Sequence, residues 1–156
     1  MRQSRKMEAN LSNMNKYIHY GHTKFDRSMF TKIKNSDYLT KPTGGLWASN
    51  VNAEYGWKDW CESENFRNCK EEHSFSFTLS DNAKVLYINS VDDLKVLPKA
   101  KNKLGVSTWI LLDFEKLEKL YDAIEVNISN DYNLYYALYG WDCDSILIMN
   151  PDVIVE

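Results

Sequence analysis

Three cysteines, no long apolar run and almost no net charge set the first limits on this 156-residue chain. Cys61, Cys69 and Cys143 are odd in number and irregularly spaced. That excludes a disulfide-stapled secreted scaffold and fits a reducing cytoplasm. No apolar stretch approaches the roughly 20 residues that span a bilayer. The N-terminus is polar and lacks the apolar core of a secretory signal. A soluble cytoplasmic chain without membrane association is therefore expected. Nineteen basic residues against 22 acidic ones leave a net charge of −3. That balance argues against a generic binder of phosphate backbones but leaves room for a local basic patch. Metal and thiolate chemistry are also thinly supplied. Cys61, Cys69 and His73 match no common zinc spacing, and no fourth ligand stands nearby. Cys143 lies between Asp142 and Asp144, whose charges disfavour a thiolate.

Aromatic side chains, by contrast, make up 13% of the chain. With this length they are enough for one domain with its own core. Residues 1–14 are polar and read as a flexible N-terminal segment, followed by a single domain over 15–156. Tyr17–Gly21 reads as a first strand ending at a glycine, and Gly45–Ser49 as a second. Phe25, Met29, Phe30 and Ile33 fall at helical spacing, as do Ala53, Trp57, Trp60 and Cys61 after a cap at Asn52. Phe75, Phe77 and Leu79 alternate with polar residues as a half-buried strand does. Further strands are expected at 85–89, 121–126, 145–149 and 153–155, and a helix from Phe114 to Tyr121. Strands and helices do not alternate regularly, so the fold class is α+β.

The segment Gly44-Gly45-Leu46-Trp47-Ala48-Ser49-Asn50, with Tyr55, Trp57 and Trp60 close behind, carries the densest chemical information. Glycines permit a close backbone approach, and aromatic faces stack on flat or cationic rings for roughly 0.5–2 kcal/mol. The same residues also suit a turn feeding a core, and Ser49 suits a cap on the next helix. Two other segments complete a three-part constellation: His19-Tyr20-Gly21-His22 at a strand end, and Trp141-Asp142-Cys143-Asp144 before a late apolar strand. A carboxamide can bond a strand-end glycine, a pyridinium can stack on an aromatic ring, and a carboxylate can bond a ribose hydroxyl. Together these are what breaking a nicotinamide–ribose bond requires, because electrostatic stabilisation of an oxocarbenium-like transition state dominates that reaction.

In these motifs the chain resembles the ADP-ribosyltransferase superfamily of toxins, poly(ADP-ribose) polymerases and small phage or bacterial effectors. Tyr20-Gly21-His22 is similar to its first motif and Gly45-Leu46-Trp47-Ala48-Ser49 to its second. Ser145–Ile154 is similar to its last strand. The resemblance implies two small, mostly antiparallel sheets forming a cleft for NAD, which is the substrate. It implies that Gly21 holds the nicotinamide amide and that His19 or Tyr20 contacts a ribose. Tyr55 or Trp47 would stack on nicotinamide, with Gly45 and Trp57 beside it and Ser49 positioning the ribose. The pattern departs from the family's in three places. His19 is one residue early, Trp47 stands where tyrosine is usual, and no glutamate opens the last strand. Asp144 or Asp142 would then supply the catalytic carboxylate, with Glu125 in reserve. The implied acceptor is a protein side chain or a nucleic-acid base. Two alternatives stand beside it: an NAD glycohydrolase, which needs the same pocket, and an inactive protein of the same fold that binds a partner's surface with its tyrosines and tryptophans. Tyr132, Tyr135, Tyr136 and Tyr139 form a tyrosine-rich segment that suits an interface or a helix face.

Overall fold

The computed structural model describes residues 16–103 and 105–156. The segment 1–14 expected to be flexible lies outside the described residues. The strands are β1 (Lys16–Tyr20), β2 (Leu46–Asn50), β3 (Ser74–Leu79), β4 (Val85–Ile88), β5 (Ala123–Val126), β6 (Ser145–Ile148) and β7 (Ile154–Val155). Three short helices accompany them: α1 (Trp57–Ser63), α2 (Phe114–Leu117) and α3 (Tyr132–Ala137). The α+β class expected from the sequence is what the chain adopts.

Two separate sheets were expected, but the strands join in one curled, mixed sheet in the order β4-β5-β6-β2-β1-β3-β7. Only β4 and β5 run parallel. The joint between the halves is short: β1 meets β2 at Tyr17 with Asn50 and at Ile18 with Ser49. Beyond Ile18, β1 follows β3 through His19 with Phe75 and Tyr20 with Ser74. Below Ser49, β2 follows β6 through Ala48, Trp47 and Leu46. Each strand keeps its stronger partner, so the two diverge and leave a wedge between them. The sheet is continuous because a two-pair ladder holds it, and that wedge becomes the principal cleft.

Both faces of the sheet are covered, which explains why Ser145–Ile148 is buried along its whole length. One face packs Trp141, Phe114, Leu117, Leu134 and Leu147 with Ile124 and Val126. The other packs Tyr17, Phe75, Phe77, Leu46, Ala48 and Ile146. Phe25, Met29 and Phe30 lean on the second face, whereas Ile33 belongs to the first. That split overturns the helix predicted over 25–33. One helical stripe cannot serve both faces, and only a 3-10 turn at Arg27–Met29 forms.

The helix predicted from Ala53 likewise begins later, at Trp57. The Ser49 hydroxyl accepts the Trp57 N–H at 2.9 Å, and the Asp59 carboxylate accepts the Gly56 N–H at 2.9 Å. These acceptors fix the start at Gly56, which is a cap and not an interior helix residue. Among the described residues no helix is long and apolar enough to cross a membrane.

Gly44 and Gly45 have φ of +86° and +72°, a region that side chains strongly disfavour. A Cβ on Gly45 would lie 2.7 Å from the Ile148 carbonyl oxygen. The close approach that these glycines permit is therefore to the protein's own backbone. Gly45→Ala is expected to cost about 3 kcal/mol, from backbone strain and the collision with β6. Urea denaturation, read as a lower midpoint with an unchanged slope, checks this.

Candidate functional site

The wedge between β1 and β2 opens into a cleft of about 400 Å³, within the range of small-molecule sites. It gathers five of the residues singled out in the sequence: His19, Tyr20, Gly45, Trp47 and Trp57. Lys41, Arg67 and His22 add positive or titratable groups, and Phe66 adds another ring. Among the described residues no Asp or Glu lines it.

Trp47 is oriented by the core. It stands edge-on to Trp141, 4.8 Å between ring centroids, and Trp141 in turn stacks on Phe114 at 6.1 Å. The Trp141 indole N–H donates to the Thr40 carbonyl at 3.3 Å, and the buried Thr40 hydroxyl donates to the Tyr139 carbonyl at 2.6 Å. These bonds anchor the loop that delivers Lys41. Its ammonium lies 5.2 Å from the Trp57 ring and 5.6 Å from the Trp47 ring, so the two rings flank one cation. Asp142 approaches Lys41 to 3.5 Å from behind. Trp57 itself packs edge-on to Trp60. Its indole nitrogen is buried without a hydrogen-bond partner, a condition that usually costs about 1–3 kcal/mol.

Other candidates lie elsewhere. Gly21 has φ of +116°, but its N–H donates to the His73 carbonyl at 2.7 Å and so is not available to a nicotinamide amide. The Ser49 hydroxyl donates to the Asp144 carbonyl at 2.8 Å while accepting from Trp57, so this buried serine is a fastener and helix cap, not a ribose contact. Tyr55 is bound through its main chain: its N–H reaches the Asp144 carboxylate and its carbonyl accepts the Asp144 N–H at 2.8 Å.

Asp144 is 4% exposed, and both carboxylate oxygens are engaged. One accepts the Ser129 N–H at 2.9 Å, and the other accepts the Ser129 hydroxyl at 2.6 Å and the Tyr55 N–H at 3.3 Å. It shares a separate cleft of about 320 Å³ with Glu125, Asn127 and Ser129. Glu125 is 7% exposed and accepts a hydrogen bond from the Tyr17 hydroxyl at 3.0 Å. Burial raises its pKa above the usual carboxylate range, with the Asp144 charge adding to the shift. The structure thus separates the aromatic clamp from Asp144 and Glu125, and Asp142 alone of the three contacts a residue of the clamp cleft.

Burial pushes the Cys143 thiol up to about 12, with Asp142 and Asp144 contributing less. The direction expected from its neighbours is right, but desolvation is the larger cause.

The sequence reading missed Lys41, Arg67 and Phe66 as wall residues. Lys41 and Arg67 lie in loops without periodicity, and only tertiary contacts bring them beside Trp47 and Trp57. Comparisons with protein-family models, with curated proteins and with solved structures found no match.

Proposed function

We propose that this protein holds NAD in the cleft between β1 and β2 and transfers its ADP-ribose group to a macromolecular acceptor, a protein side chain or a nucleic-acid base. One observation carries the reading: Trp47 and Trp57 line one cleft together with the cations Lys41 and Arg67, and the two rings flank Lys41. Aromatic faces suit the flat rings of a dinucleotide, and Lys41 and Arg67 suit its phosphates. Gly45 and Tyr20 line the same cleft. Asp142 is the candidate carboxylate that reaches a residue of the cleft, through its ion pair with Lys41. Asp144 is occupied by Ser129 and Tyr55. A cytoplasmic effector acting in a bacterial or phage-infected cell rests on the family resemblance alone.

A second reading, binding without transfer, is favoured by the lack of any Asp or Glu among the described residues that line the cleft. Isotope-labelled NAD separates the two. Calorimetry should show NAD binding that weakens about tenfold in Trp57→Ala, a loss of about 1.4 kcal/mol. Incubation with a cell lysate should leave label on a protein or nucleic acid in the wild type but not in Asp142→Ala. Binding with no labelled acceptor and no released nicotinamide supports the binding protein. Released nicotinamide without labelled acceptor supports hydrolysis. No NAD binding sinks both enzyme readings, transfer and hydrolysis.

A further inference from the structure

The diverging end of β1 holds a hydrogen-bonded pair of histidines whose polarity the backbone dictates. His19 Nδ1 lies 2.7 Å from the Trp47 carbonyl oxygen, and His19 Nε2 lies 2.9 Å from His22 Nδ1. A carbonyl only accepts, so the hydrogen sits on His19 Nδ1. In a neutral ring the other nitrogen is then an acceptor, so His22 Nδ1 must donate to it. One position remains: His22 Nε2 carries a lone pair, on an exposed residue that lines the cleft. The rings stack at 5.2 Å, and His19 is backed by Phe75 at 5.1 Å, so the geometry is held from behind.

This chain of bonds accepts one proton and resists a second. A proton on His22 Nε2 leaves every hydrogen bond intact. A further proton on His19 Nε2 would set two N–H groups head to head across 2.9 Å. Burial also lowers the affinity of His19 for a proton. The charged and titratable groups sharing the cleft are Lys41 from the loop before β2, Tyr20 of β1, Cys61 of α1, and Arg67 and Cys69 from the segment after α1.

We propose that His19 and His22 form a one-proton dyad in which His22 Nε2 is the general base of the cleft and His19 is its positioning partner. The assignment rests on the NAD reading above. In the transfer step an acceptor hydroxyl, or water, forms its oxygen–carbon bond to the ribose. The bond to nicotinamide breaks with its electron pair leaving on the nicotinamide nitrogen, and the acceptor's proton moves to His22 Nε2. The positive charge then rests on the exposed His22 ring, whose Nδ1–H goes on donating to His19 Nε2 while His19 Nδ1–H donates to the Trp47 carbonyl.

The chain has three histidines, so nitrogen-15 spectra of the rings resolve the pair directly. Spectra of the wild type, His22→Gln and His19→Asn between pH 5 and 8 should be set beside calorimetry with NAD and nicotinamide release with water as acceptor. The expected wild-type spectra show both rings protonated at Nδ1 when neutral and one proton shared on acidification. Since general bases contribute about 10²–10⁴-fold, His22→Gln should slow nicotinamide release at least 100-fold while NAD affinity stays within about twofold. His19→Asn should move the acid limb of the rate profile. Two independent proton uptakes, or wild-type release in His22→Gln, would overturn the dyad. Failure of NAD to bind the wild type overturns the ligand and the base role assigned with it. The ring spectra then still decide between a shared proton and two separate ones.

Discussion

Trp141→Ala is expected to lower the stability of this protein by about 3–5 kcal/mol, the usual cost of truncating a buried tryptophan. Trp141 is fully buried and touches three elements: Trp47 on β2, Phe114 on α2 and the Thr40 carbonyl in the loop that carries Lys41. The loss combines buried apolar area, a ring-sized cavity and one orphaned carbonyl. Against a typical total of about 5–15 kcal/mol, that is a large fraction. The melting temperature should fall by roughly 10 °C, taking about 2–4 °C per kcal/mol for a domain of this size. Trp141→Phe keeps a ring against Trp47 and gives up the indole N–H, so it should lose less than half as much. The two variants also separate stability from the site. With Trp47 and Lys41 no longer held, Trp141→Ala should lose ligand affinity even at temperatures where it is folded. Equal stability of Trp141→Ala and wild type in urea would refute the role given to this residue.

Asp144→Ala should be nearly as damaging, by a different route. The buried side chain of Asp144 satisfies the Ser129 N–H, the Ser129 hydroxyl and the Tyr55 N–H in a part-buried network, which its removal breaks. A loss of roughly 3 kcal/mol follows from three hydrogen bonds lost to one charged acceptor. Asp144→Asn keeps one acceptor oxygen and should cost about half as much. Urea denaturation of both variants gives the comparison. A catalytic aspartate would behave otherwise, with Asp144→Ala folded at wild-type stability and inactive. Loss of activity in Asp144→Ala without a stability measurement would therefore be misread as chemistry.

The carboxylates show how far residue order can mislead. Asp142 and Asp144 are two apart and look interchangeable on paper. The chain between them turns so that one reaches Lys41 and the other is fastened beneath Ser129 and Tyr55. Glu125 reads as a strand residue held in reserve for the catalytic carboxylate. Only its register against Ile146 and its bond from Tyr17 reveal a carboxyl held in the core.

What the sequence determined by itself is local. Alternation in Phe75-Ser76-Phe77 makes a half-buried strand, and the apolar run Ile146–Ile148 makes a late strand. The glycine–tryptophan strand and the strand that ends at Tyr20 are likewise legible, because residue type and spacing act within a few residues. Tertiary structure decided the rest. The sheet is continuous because two residue pairs join β1 to β2, and the cleft exists because each strand then follows a stronger neighbour. Lys41 lies between two tryptophans because Thr40 is tied to Tyr139 and Trp141, about a hundred positions away. Such long-range hydrogen bonds and ring contacts have no periodicity along the chain, and no window of sequence contains both partners.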